Sequence, residues 1–194
     1  MGKRIAIIQG HPDRRPERFC RALAQAYAAG AARSGHETRL VDVAALDFPL
    51  IRSQAEFESG ALPEPIAAAQ ETLRWAEHWV IVYPLWLGDA PALFKAFVEQ
   101  TFRPGFALRY REGRLPEGLL KGRSARVIVT MGMPALVYRF FFLAHGLRNL
   151  ERNILKYAGV SPVRATLIGS IKNMTSATAE KWLAAVEDLG GRAS

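Results

Sequence analysis

Between Val80 and Lys95 the sequence VIVYPLWLGDAPALFK joins an apolar run, Trp79 to Tyr83, to a stop at Pro84, a loop bearing Trp86 and Gly88, and a second proline, Pro91. Proline cannot donate to a central ladder but suits a first helical turn, so the punctuation reads strand, shaped loop, helix. That loop offers a flat indole and several backbone amides, a chemistry suited to a planar heteroaromatic ligand; a tight turn around a packed tryptophan accounts for the same residues equally well. A second candidate follows the first apolar run, where His11 precedes a helix start. Exposed first-turn amides and the positive end of a helix dipole together bind phosphate.

The elements that must position these loops alternate along the chain. Arg4 to Gln9, Glu37 to Val43, Trp79 to Tyr83, Ala125 to Met131 and Val163 to Ile168 are short and rich in β-branched residues, as strands are. Between them lie helical stripes. Phe19, Ala22, Leu23, Ala26 and Tyr27 run from Pro16 to Ser34-Gly35, and Pro65 to Glu77 is helical by composition. Leu93, Phe94, Phe97, Val98 and Thr101 make a third stripe. Leu143, Leu147, Leu150, Ile154 and Tyr157 make a fourth, ending at Gly159, and Trp182, Leu183, Val186 and Leu189 a fifth. Phe48 to Pro65, with three prolines, is a long connection with room for one turn of helix.

The alternation predicts an α/β fold with one parallel sheet covered on both faces, as a single domain over 1–194. Five strands favour the order 2-1-3-4-5. In that order strands one, three and four are neighbours, and their carboxyl-end loops, His11–Arg18, Leu85–Ala90 and Gly132–Val137, converge.

Absences narrow the chemistry. There is no G-x-G-x-x-G after the first strand, no Gly-Lys-Ser/Thr phosphate loop and no G-x-S-x-G elbow. Histidines 11, 36, 78 and 145 lack ligand spacing and Cys20 is alone, so a metal site and an intrachain disulfide are both excluded. A hydrophobic content of 49% with 23% charged residues is globular. Basic residues exceed acidic by 26 to 18, a net +8 that suits an anionic partner. The excess is spread out and no recognition motif accompanies it, which argues against nucleic acid. No apolar run is long enough to cross a membrane and no signal h-region is present, so a cytoplasmic location is expected.

Gly10-His11-Pro12-Asp13, Pro84-Leu85-Trp86-Leu87, and Thr130-Met131-Gly132-Met133-Pro134 followed by Tyr138 resemble, in order and spacing, the flavodoxin-like NAD(P)H:quinone oxidoreductases. The likeness extends over most of the chain and includes Pro104-Gly105-Phe106. It implies a bound flavin (FAD first, FMN as the alternative) and NAD(P)H as co-substrate. It also implies ping-pong two-electron hydride transfer to quinones or similar electrophiles, and a homodimer with sites at the interface. Carried over by residue, His11 and the Arg18-Phe19-Cys20 corner would hold flavin phosphate. Pro84, Leu85, Trp86 and Leu87 would line one ring edge, and Thr130, Gly132, Met133 and Pro134 the other. Tyr138 and His145 match the proton-relaying tyrosine and histidine of the family. Two departures stand out: the corner is usually Ser-Phe-Asn, and the Tyr138–His145 spacing is one residue longer than usual.

The basic segment Arg103 to Ser124 would form a lid over the flavin, with Phe106 and Tyr110 facing substrate; a solvated loop accounts for its charge but not for those two aromatics. The run Tyr138, Phe140, Phe141 and Phe142 is too apolar for a simple surface helix and suits a dimer contact or an apolar substrate wall. Some members of the resembling group are ancillary subunits of membrane potassium-efflux systems. Peripheral docking to a membrane protein is therefore the alternative function.

Overall fold

The computed structural model describes residues 2–111, 113 and 115–194. Its central sheet has five parallel strands in the order β2-β1-β3-β6-β7. These are β1 (Arg4–Gln9), β2 (Glu37–Asp42), β3 (His78–Pro84), β6 (Ser124–Thr130) and β7 (Val163–Ile168), the five strands and the 2-1-3-4-5 order expected from sequence. The two added strands are a short antiparallel pair, β4 (Leu108–Arg109) and β5 (Glu117–Gly118).

Alternating side chains build two cores. Ala6, Ile8, Trp79, Ile81, Tyr83, Val127 and Val129 pack under α3 (Glu64–Trp75), α4 (Ala92–Thr101) and the helical stretch that begins with α5 (His145–Arg148). Ile5, Ile7, Val80, Val82 and Ile128 pack under α1 (Phe19–Arg33) and α6 (Ser176–Arg192). β3 is buried along its whole length, as its unbroken apolar run requires. Helices α1 and α6 meet backbone to backbone: a Cβ on Gly30 would lie 1.8 Å from the Glu187 carbonyl, and one on Gly190 would lie 2.1 Å from that of Tyr27.

The connection after β2 holds a helix of its own, α2 (Gln54–Ser59), anchored from outside. The buried Arg103 guanidinium donates to the carbonyls of Glu56, Phe57, Gly60 and Ala61 at the end of that helix. One long side chain thus satisfies groups that a helix terminus otherwise leaves orphaned.

Two expectations need correction. The fourth helical stripe is shifted: after α5 the chain widens into π-helical turns, Asn149–Lys156. The buried residues are therefore Leu147, Leu150, Leu155 and Ala158, while Leu143 and Tyr157 are exposed. A wider turn advances the inward face by one residue, from Ile154 to Leu155. The second correction concerns the segment Arg103 to Ser124, of which residues 112 and 114 lie outside the described residues. α4 returns the chain to the amino ends of the strands, where Phe102 meets Trp79 edge-on and the Ser124 N–H bonds the Glu77 carbonyl. The β4–β5 pair therefore lies at the pole opposite the converging loops and cannot lid them within one chain. Phe106 is buried beneath the Arg74 guanidinium and Tyr110 is exposed, both at that far pole.

Among the described residues no helix is long and apolar enough to cross a membrane.

Candidate functional site

The register Gln9↔Val82↔Ile128 aligns the carboxyl ends of β1, β3 and β6, so their three loops share one rim. At the first loop the Gln9 side-chain carbonyl accepts the His11 N–H, and His11 Nδ1 accepts the Asp13 N–H at 3.0 Å. Burial lowers the imidazole pKa, Asp13 opposing it and Arg21 and Arg15 reinforcing it. His11 is thus neutral at pH 7 and carries its proton on Nε2, available as a donor. Asp13 gathers the cations: Arg15 Nη2 and Arg18 Nε each reach it at 2.7 Å. The backbone N–H of Arg15, foremost, keeps its carboxyl below the usual range.

Helix α1 opens at Arg18 with no side-chain cap and no acidic residue in its first turn. The Phe19 and Cys20 amides have no backbone partner among the described residues. Uncommitted amides, a positive dipole end and two guanidiniums are groups that could hold a phosphate. Arg21 is engaged elsewhere, in a two-point pair with Asp42 at 3.0 and 3.1 Å. The Cys20 thiol rests 3.2 Å from Thr130 Oγ1, and burial pushes its pKa up to about 11. It packs α1 onto β6 and is no nucleophile.

In the second loop Trp86 and Asp89 exchange both backbone bonds, at 2.8 and 3.0 Å, closing a two-residue turn. Leu87 at φ 50 and Gly88 at φ 83 take the left-handed geometry of a type I′ turn. Pro84 has no N–H, Leu85 spends its own on the Thr130 carbonyl, and Trp86 spends its own on Asp89. Of the four residues expected to line a ring edge, only Leu87 keeps a free backbone donor among the described residues. Trp86 is half-exposed and meets the His11 imidazole edge-on, at 6.0 Å between centroids, joining the first two loops into one wall.

In the third loop Thr130 is buried, Met133 half-buried, and Gly132 and Pro134 exposed. Gly132 is informative because neither its backbone nor its nearest neighbours among the described residues require a glycine. Its φ is not left-handed, and a Cβ there would meet only the Lys172 side chain, at 3.6 Å or more. A glycine here would let a ligand come close to the backbone.

Tyr138, in the π-helical turn Val137–Phe141, is buried. Its hydroxyl accepts the Leu147 N–H at 3.2 Å and donates to the Gly88 carbonyl at 3.5 Å. Burial raises its pKa, so the phenol is neutral at pH 7. Gly146 seats α5 on the second loop, since a Cβ there would lie 2.6 Å from the Gly88 carbonyl. His145, one residue earlier, is exposed at the rim. Beyond Tyr138 the face carrying Leu136, Phe140, Phe141 and Phe142 is open to solvent, Phe141 to 78%.

The fold thus brings together His11, Arg18, Phe19, Cys20, Pro84 to Leu87, Thr130 to Pro134, Tyr138 and His145. It leaves Phe106 and Tyr110 at the opposite pole. Sequence reasoning passed over Gln9, Asp13, Arg15 and Lys172 as site residues; Asp13 and Arg15 could have been found as the acid and base flanking a helix start.

Comparison with known proteins agrees with this geometry. Residues 3–190 match the family model described as a flavodoxin-like fold, Flavodoxin_2. An uncharacterized NAD(P)H oxidoreductase of Haemophilus influenzae is 28% identical over 169 residues, covering 85% of this chain and 83% of its own. FMN-dependent NADH:quinone oxidoreductase 2 of Listeria innocua is 30% identical over 150 residues, covering 72% and 70%. The solved NAD(P)H:quinone oxidoreductase of Methanothermobacter marburgensis superposes with a TM-score of 0.83 at 23% identity over the full length of both chains. The strand order, the three-loop rim and the match over nearly the whole chain lead to one assignment: the chain belongs to the flavodoxin-like NAD(P)H:quinone oxidoreductase family.

Proposed function

We propose that this chain is an FMN-dependent NAD(P)H oxidoreductase whose acceptors are quinones or similar planar electrophiles. The observation that carries the proposal is Gly132: in the third loop of the rim, a glycine with room for a side chain leaves the backbone open to close approach. The sequence reading ranked FAD above FMN. The name of the Listeria relative favours the reverse order.

When bound, the flavin supplies two-electron chemistry between NAD(P)H and the acceptor. The amides of Phe19 and Cys20, with Arg18 and His11 Nε2, bind its phosphate. Trp86 and the free Leu87 N–H bound one ring edge; Gly132, Met133 and Pro134 bound the other. Tyr138, neutral and already bridging two loops, holds a proton beside the site. His145 is positioned at the mouth to meet substrate. The exposed Phe140–Phe142 face buries itself against a second copy of the chain, because an apolar surface this contiguous is costly to leave in water.

The test is a visible spectrum of the purified protein, with the chromophore identified by chromatography. Flavin bands that bleach with anaerobic NADPH and return with a quinone are expected. A protein that stays colourless after FMN and FAD are added would overturn the assignment. Parallel double-reciprocal lines are expected for a ping-pong order, and intersecting lines refute it. Sedimentation of wild type and Phe141→Asp, dimer against monomer, checks the paired state.

A further inference from the structure

The loop between β7 and α6 is built onto the third loop of the rim. A Cβ on Gly169 would lie 2.3 Å from the Ala135 nitrogen and 2.7 Å from the Met133 carbonyl, so only glycine permits this approach. Ser170 adopts a left-handed φ of 56° and its N–H bonds the Met133 carbonyl at 2.9 Å. Ile171 N–H bonds the Met131 carbonyl at 3.2 Å. The short 3-10 turn Ile171–Asn173 starts from this pinned point and carries Lys172. The stem of Lys172 runs along Gly132: its Cε, Cδ and Cγ lie 3.6, 3.8 and 3.9 Å from where a Cβ would stand. Lys95 and Lys121 are ion-paired, whereas Lys172 pairs with no carboxylate among the described residues.

From this arrangement we infer that Lys172 is a tuning residue: its ammonium, carried on a stem that runs along Gly132, raises the reduction potential of the flavin bound at that rim. The inference rests on the proposed flavin site and adds to it a residue from a fourth loop. Reduction places negative charge on the ring, so a nearby unpaired cation favours the reduced state. A strained serine and an obligatory glycine are unusual devices for a loop whose only task is to connect β7 to α6.

The experiment is an anaerobic dye-coupled titration of the flavin-loaded protein as wild type, Lys172→Met and Lys172→Arg, at low and high salt. For Lys172→Met the equilibrium should shift about tenfold toward the oxidised state, about 30 mV lower for a two-electron couple. Lys172→Arg should stay near wild type, and salt should shrink the difference because the charge is exposed. A Lys172→Met potential equal to wild type overturns the inference. So does an arginine variant that falls as far as the methionine one, and so does loss of flavin affinity in place of a shift. Wild-type protein that takes up no flavin would defeat the proposed function itself, a different and earlier failure.

Discussion

His78 gives the most quantitative prediction. It lies on β3 at the amino pole, 2% exposed, with Nδ1 2.7 Å from Ser124 Oγ and Nε2 without a partner. The ring stacks on Tyr27 at 6.4 Å. Burial, then the charges of Lys3, Arg126, Arg164 and His36, lower its pKa to about 4. In the unfolded chain a histidine titrates near 6.5. Below that pH the unfolded state takes up a proton that the folded state refuses. Stability is therefore complete above about pH 6.5 and is lost as pH falls toward 4. The full loss is about 3 kcal/mol, and about 2 kcal/mol of it is gone at pH 5, roughly a thirtyfold change in the unfolding equilibrium. Urea unfolding of wild type and His78→Gln at pH 7 and pH 5 isolates the effect, because titrations elsewhere are common to both proteins. Wild type should lose about 2 kcal/mol more than the variant across that interval. Equal losses would show that the imidazole is not held neutral by its burial, and the reasoning would fail.

Other outcomes follow from close contacts. Gly132→Ala should leave the flavin-free protein within about 0.5 kcal/mol of wild type yet weaken FMN binding, measured by calorimetry. Gly146→Ala should cost about 1–3 kcal/mol in any state, because its Cβ collides with the Gly88 carbonyl; equal behaviour of the two variants would contradict the reading of Gly132. Arg103→Met strips four carbonyls of their donor and should cost about 2–4 kcal/mol, with amide exchange rising first in residues 54–61. Tyr138→Phe should slow single-turnover flavin reduction roughly tenfold to a thousandfold, and an unchanged rate would remove the phenol from the chemistry.

The strands were legible because runs such as RIAIIQ and VIVY admit few other readings, and parallel order then follows from the alternation with helices. The rim was legible for the same reason: once strands one, three and four are neighbours, their loops must meet. The orientation of Arg103 to Ser124 was not legible from its composition. Aromatic and basic residues suggest a lid, but α4 runs antiparallel to β3 and delivers that segment to the far pole. The π-helical turns escaped because a four-three-four-three pattern fits an α-helix, and only packing at Leu155 selects the wider turn. Lys172 and Gln9 escaped because their significance lies in contacts across the fold, which no local spacing records. Pro84 to Leu87 show the converse: residue types suggested a row of amides, and the sheet and turn claim all but one of them.

The glycine contact between α1 and α6 has a consequence for the newborn protein. The second half of α1 is held against the sheet partly by α6, whose backbone it meets at Glu187 and Gly190. That brace forms only once Ser176–Arg192 has been made. Until then α1 leans chiefly on the sheet, and Tyr27, Ala31 and Leu23 lack part of their cover. A nascent chain stalled before Ser176 should therefore fail to resist proteolysis along α1.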